Sequence, residues 1–181
     1  MQSFQFLEPF GFMEHAQAIA QQGFELRGRL RNWAYAHHTS TIFRHSRISQ
    51  VLSTGSIPER EHQTNQTNLL AETFFSATSI YLSGVFDYEI CQWQGLQLLV
   101  PTLGEDEIQQ HVASILSLSQ RLAETCTSSL LLLFPLRVAS ARVWQASQKQ
   151  QIMRLFGMVA SSFPVAGAFI ADIEHLWGCN R

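Results

Sequence analysis

Charge is what this chain has least of. Only 14% of its 181 residues are Asp, Glu, Lys or Arg, against roughly a quarter in an average soluble domain. A single lysine, Lys149, stands beside 11 arginines. A disordered acidic or basic tail needs dense charge and few aromatics, and the 13 Phe, 4 Trp and 3 Tyr argue against one. The net charge of -2 and pI near 6.4 give no global attraction to nucleic acid or anionic lipid. Cysteine is equally scarce. Cys91, Cys126 and Cys179 form no C-x-x-C pair, so neither a zinc module nor a disulfide framework is expected, and the thiols are expected to be reduced and mostly buried. No basic n-region and apolar run open the chain, so an intracellular, soluble protein is expected. Long apolar runs are missing too. The longest, Leu130 to Leu136, is seven residues and contains Pro135, whereas a membrane span needs about 20.

Motifs with a built-in mechanism are also absent. There is no G-x-x-x-x-G-K-[ST], G-x-G-x-x-G or G-x-S-x-G. No Ser/His/Asp or Cys/His arrangement can be argued from spacing. An enzyme built from this sequence would therefore use general acid/base or shape-based catalysis, and neither a cofactor nor a metal is expected.

Polarity comes instead from 18 Gln and 18 Ser, set between apolar residues at helical spacing. From Phe12 to about Tyr35, Ala16, Ala20, Phe24, Leu30 and Trp33 recur at intervals near three and four. Within Asn65 to Asp87, Leu70, Phe74, Ala77, Tyr81 and Val85 form one stripe. Glu105 to Glu124 carries Ile108, Val112, Ile115, Leu118 and Leu122, opened by Gly104 and three acidic residues that suit a helix N-terminus. Ser147 to Ala160 carries Ile152, Leu155, Phe156 and Val159, with Ser147 as expected N-cap. Pro164 opens a final helix to Trp177 that carries Val165, Phe169, Ile173 and Leu176. Leu130 to Phe134 would also suit a buried strand, but no partner strand is visible. Ser128 to Gln145 therefore reads as a central apolar helix kinked at Pro135. Thr39 to Thr67 is polar. It reads as a short helix (Ile42 to Leu52) followed by a loop over 53–66. The expectation is an all-α, single compact domain over residues 1–181, with an ordered core from about 12 to 177 and six to seven helices.

One resemblance emerges from the C-terminal half. Ser128-Ser129, the run Leu130 to Phe134, then Pro135-Leu136-Arg137-Val138-Ala139 resemble a signature of the all-helical regulatory domain of fungal zinc-cluster transcription factors. Ile152, Leu155 and Phe156, then Phe163-Pro164-Val165-Ala166, then Ile173, Leu176 and Trp177 follow the same pattern. Ile80 to Tyr88 resembles that domain's tyrosine-containing helix end. The likeness runs from about Phe12 to Trp177 and rests on packing motifs. It implies transcription regulation through an interaction domain that engages a protein partner or itself. It departs from the family at one point, since three scattered cysteines cannot form the six-cysteine binuclear zinc cluster that binds DNA. Direct nucleic-acid binding by this chain and a membrane role are accordingly not expected. The chain is either part of a transcription factor, and then nuclear, or a stand-alone cytoplasmic protein of fungal secondary metabolism. In the latter case it would bind a small molecule in a pocket or act as a cofactor-free isomerase or cyclase.

Candidate site residues carry both readings. His37, His38 and His45 sit close together around Arg44, and His37 is a candidate acid/base. Asp87 and Tyr88 are further catalytic candidates, with Asp87 as a base. The alternative for them is structural, Asp87 capping a chain reversal and Tyr88 and Trp93 packing half-buried. Trp33, Tyr81, Trp93 and Arg137 are candidates to line a ligand site. A guanidinium at position 137 in a core helix needs a carboxylate or carbonyl partner, and Asp87 and Asp172 are candidates. Arg27, Arg29 and Arg31 read as a solvated helix face. Trp144 and Trp177 read as core or interface anchors.

Overall fold

A computed structural model of the chain describes residues 9–51, 59–125 and 129–179, with side chains at 11–36, 65–125 and 129–178. It is all-α. Its elements are α1 (Pro9–Val51), α2 (Glu59–Asp87), α3 (Ile90–Gly95), α4 (Glu105–Glu124), a 3-10 turn (Ser129–Leu132), α5 (Leu133–Ser140), α6 (Ala146–Ala160) and α7 (Val165–Cys179), with no strand among the described residues.

The order of the apolar residues explains the bundle. In α4 the spacing brings Ile108, Val112, Ile115, Leu116 and Leu122 inward. Gly104 is extended ahead of the helix and its N–H is accepted by the Glu107 carboxylate at 3.1 Å, which occupies one of the donors a helix start leaves open. The most extensive helix pairing is α2 with α4. Leu69, Ala77 and Ile80 of α2 meet the α4 face, and Leu132, Leu136, Ile152, Leu155, Phe156, Val159, Ala166 and Ile173 complete a contiguous core. Two polar side chains inside it are bonded locally. Thr73 Oγ1 donates to the Leu69 carbonyl at 2.7 Å and Ser140 Oγ to that of Arg137 at 2.7 Å.

Several expectations are corrected. Residues 128–145 do not form one kinked helix. A 3-10 turn ends at Leu132 and an eight-residue helix follows, so Pro135 falls in the first turn of α5, where its missing N–H has no intrahelical partner to lose. The short α5 is nonetheless central, packing against α2, α4, α6 and α7. Helix α6 starts at Ala146 with Gln145 at the cap, so Ser147 lies inside it. The polar stretch after Thr39 is helical to Val51 and again from Glu59. Charged and amide side chains extend a helix without leaving an apolar period to read. The remainder of the expected loop, and Leu52, fall outside the described residues.

The inward row of α2 is also shifted. Leu69, Thr73, Ala77 and Ile80 are buried, whereas Tyr81 is 59% and Val85 53% exposed, because polar Thr73 replaces a large apolar residue on the core line. Residues Asn65–Asp87 of α2 are long and apolar enough, by length and composition, to cross a membrane. Scattered Ser, Thr and Gly dilute the apolar residues without lowering the mean far, so a search for unbroken apolar runs passes over this segment. Here it is a core helix that brings Leu69, Ala77 and Ile80 to the interior.

Helix α1 stands apart. At 43 residues it is about 65 Å long, and α2 is the one helix it packs against among the described residues. The contiguous core takes no residue from it. Among its described side chains the buried positions are Ala16, Ala20 and Gly23, while Phe24 and Trp33, expected on the inward stripe, are 48% and 46% exposed.

Candidate interaction surface

A polar corner fixes the end of α2. Ser83 is buried. Its Oγ accepts the Leu103 N–H at 2.8 Å and donates to Asp87 Oδ2 at 3.1 Å. The same carboxylate oxygen accepts Arg142 Nη2 at 2.8 Å, both side chains being about one-quarter exposed. Gln109 Nε2 of α4 donates to the Arg142 carbonyl at 3.0 Å. Arg142 thereby links the end of α5 to α2 and α4. Charged hydrogen bonds of this kind each contribute roughly 1.5–3 kcal/mol. Asp87 is held on both sides by its own chain, which is the arrangement of a structural carboxylate.

Arg137 takes the other candidate acid, Asp172 of α7, at 2.7 Å, with the two side chains 33% and 56% exposed. A pair this open to solvent contributes on the order of 0–1 kcal/mol. Arg137 is half-buried rather than enclosed, because α5 turns one side to solvent.

Arg27 corrects the solvated-face expectation for the arginine run. Its Nη1 donates to the Thr102 carbonyl at 2.7 Å, joining α1 to the segment before α4. Burial pushes this guanidinium below its ordinary value; the neighbouring Arg31 charge adds to the effect and Glu107 opposes it. Arg29 and Arg31 are exposed. His111 of α4 packs edge-on against Phe75 with ring centroids 5.8 Å apart. Burial lowers its proton affinity, Glu107 raises it, and Arg27 lowers it further.

The remaining candidates fall at separate places. Trp33 lies on α1. Tyr88 sits in the turn after α2 and is 85% exposed, so it is not half-buried packing. Trp93 of α3 is half-buried against Phe86 at 5.7 Å, and its indole N–H has no hydrogen-bond partner among the described residues. Trp144 is 69% exposed, so it is no core anchor, and Cys91 is exposed, not buried. Trp177 is anchored, its Nε1 donating to the Ser140 carbonyl at 3.0 Å with Lys149 over its ring. The side chains of His37, His38 and His45, and those of Cys126 and Cys179, lie outside the described residues. Among the described residues no cluster of His, Cys, Asp and Glu could hold a metal ion. The contacts described for Asp87, Tyr81, Trp93 and Arg137 go to residues outside the candidate set: Arg142, Phe134, Phe86 and Asp172.

What does come together is an aromatic ridge. Phe134 of α5 lies between two rings of α2, 5.9 Å from Phe74 and 6.0 Å from Tyr81. Phe74 and Tyr81 are seven residues apart and so share a helix face. Phe134 remains 39% exposed and Tyr81 59%, and Leu130 and Leu131 in the preceding turn are 41% and 42% exposed. Rings that pack on one another and still face solvent form a pre-assembled apolar surface. Sequence reasoning misses Phe134 and Arg142. Phe134 reads as part of the leucine run, and the offset of five residues between Arg137 and Arg142 leaves open which guanidinium meets which acid.

Comparison of the chain with protein-family models, with curated proteins and with solved structures gave no match.

Proposed function

We propose that this chain is an all-helical regulatory domain of the kind found in fungal zinc-cluster transcription factors, acting by docking a protein partner and not by contacting DNA itself. The observation that carries this reading is the aromatic ridge. Two segments on which the resemblance rests, Leu130 to Phe134 and the stretch containing Tyr81, supply two of its three rings and its leucines, and the ridge keeps these half-exposed. Ordered apolar rings at the centre of a surface are the usual anchors of protein interfaces. The polar corner at Asp87 holds the α2 side of the ridge in place, which limits the ordering cost of docking.

The test is a transcription reporter driven by the full chain fused to an unrelated DNA-binding module. The fusion is expected to change reporter output, and Phe134→Glu with Leu131→Glu to abolish the change at equal protein level and unchanged helicity. Loss of an aromatic anchor weakens an interface by about 2 kcal/mol, roughly thirtyfold. A folded fusion that leaves the reporter unaltered, or a double variant as active as the parent, overturns the reading.

A further inference from the structure

Helix α1 turns Ala16, Ala20 and Gly23 inward and leaves large residues in solvent. Phe12, Ile19 and Leu26 are 56%, 38% and 49% exposed. They follow one another at intervals of seven, and the same interval leads on to Trp33. Their shared stripe runs beside, and not along, the face that meets the domain. The domain face is Ala16, Ala20 and Gly23, with Arg27 bonded to Thr102. Between the sevens, Ala16, Gly23 and Leu30 complete an alternating four-and-three spacing, the register of a helix running alongside another helix in a left-handed pair. Because Ala16 and Gly23 are taken by the domain, a second helix would seat on the shoulder of α1.

Period and charge indicate which occupant suits this shoulder. A lipid surface selects a broad apolar face edged by basic residues, whereas this stripe is one residue wide and keeps its register for three intervals of seven. That is the demand of another helix. Charge along α1 is divided lengthwise. Residues 9–25 carry Glu14 and Glu25 and no Lys or Arg, and residues 26–36 carry Arg27, Arg29 and Arg31 and no acid. A parallel copy would stack the two arginine runs together in a chain with few carboxylates to offset them. An antiparallel copy sets each basic half beside an acidic half and opposes the helix dipoles favourably.

We propose that α1 is a self-association element, pairing antiparallel with α1 of a second copy of this chain along the stripe from Phe12 through Ile19 and Leu26 to Trp33, so that Ile19 of each copy meets Leu26 of the other. The contact is isologous, so it closes as a two-fold dimer and does not propagate. It uses neither the aromatic ridge nor any residue of the polar corner, and it stands or falls independently of the regulatory reading.

Sedimentation velocity on the full chain tests it. The expected species has twice the 20.5 kDa monomer mass, and Ile19→Glu with Leu26→Glu gives monomer with the circular dichroism of the parent. Phe24→Glu, at an equally exposed position off the stripe, is the control and leaves the dimer intact. A monomeric parent, a dimer that survives the double substitution, or a dimer lost equally with Phe24→Glu overturns the proposal. Orientation is read from single cysteines introduced into a Cys91→Ser background, with the linked peptides identified by mass spectrometry. Gln22→Cys, near the midpoint of the stripe, is expected to cross-link to itself and His15→Cys is not. Self-linking at both positions means a parallel pair and overturns the antiparallel assignment.

Discussion

Helices α4 and α1 are both long and both carry apolar residues at helical intervals, yet they are held by opposite means. Helix α4 buries its large aliphatic residues, from Ile108 to Leu122, and leaves its polar ones outside. Helix α1 buries alanines and a glycine, adds one arginine bond, and leaves Phe12, Phe24 and Leu26 about half-exposed. The first is fixed by the area it removes from water; the second by how closely its backbone approaches Phe86 and Pro101. A helix whose largest side chains face away from its own domain has spent its sequence on a different contact. Large residues on a helical stripe mark a contact face in both cases, but they do not say whose.

The largest expected effect sharpens the core side of this contrast. Phe156 is fully buried in the core and stacks on Phe169 at 6.3 Å. Phe156→Ala is expected to cost about 3–5 kcal/mol, read as a fall of roughly 10 °C in Tm for a domain of this size. A fall no greater than that of an exposed aromatic such as Tyr88→Ala would break the distinction.

An intermediate effect probes the footing of α1. A Cβ built on Gly23 would lie 2.5 Å from Phe86 Cζ and 2.8 Å from Pro101 Cγ. Phe86 is itself buried and wedged against Trp93, and cannot swing aside. Gly23→Val is expected to cost about 1–3 kcal/mol by overpacking. The loss should be local. Limited proteolysis should cut within α1 well before the bundle, while the main thermal transition moves little. Equal resistance of α1 in parent and variant would show that Gly23 is not the point of contact.

The smallest effect lies at the seam between the two regions. Burial disfavours the charged form of His111 in the fold, and Arg27 adds to this. Its folded pKa is below its unfolded one, near 6.5, so the unfolded chain binds the extra proton. Stability is therefore full above pH 6.5 and declines as pH falls through that value toward the depressed folded pKa. His111→Gln should flatten the slope between pH 7.5 and 5.5 in denaturant titrations. An unchanged slope would assign the pH dependence to other groups.

Much of this molecule was legible in its sequence, and the lapses have physical causes. The period of α6 identified its buried residues, and that of α4 identified Ile108, Val112, Ile115 and Leu122 but chose the half-buried Leu118 in place of the buried Leu116, because those helices carry nearly all their large apolar residues on one side. In α2 the same reading chose a row one position off, since Thr73 and Ser76 are buried on the inward side while Tyr81 and Val85 stand outside. In α1 the reading placed Ala16 and Ala20 on the inward stripe, where they are buried, but carried it on through the exposed Phe24 and Trp33 and past Gly23, which has no side chain to signal burial. Asp87 and Asp172 are both legible as partners, but for one guanidinium, that of Arg137. Asp172 pairs with Arg137, but Asp87 went to Arg142, a partition set by where α5 ends and invisible in the spacing. The surface that carries the proposed function was hidden for a related reason. A leucine run reads as interior, and only the tertiary arrangement shows that Leu130, Leu131 and Phe134 lie at its edge.

The contact at Gly23 has a consequence for how this protein can vary. Most packing positions tolerate change in two directions, since a larger side chain can be met by a smaller neighbour. Position 23 already holds the smallest residue there is, so every replacement adds volume against Phe86 and Pro101. In a saturation scan the site should show a one-sided profile, with alanine the mildest replacement and intolerance growing with side-chain size. Recovery should come from second changes that shrink Phe86 or Pro101, never from repacking on α1. Such paired recovery would map where α1 seats from growth data alone.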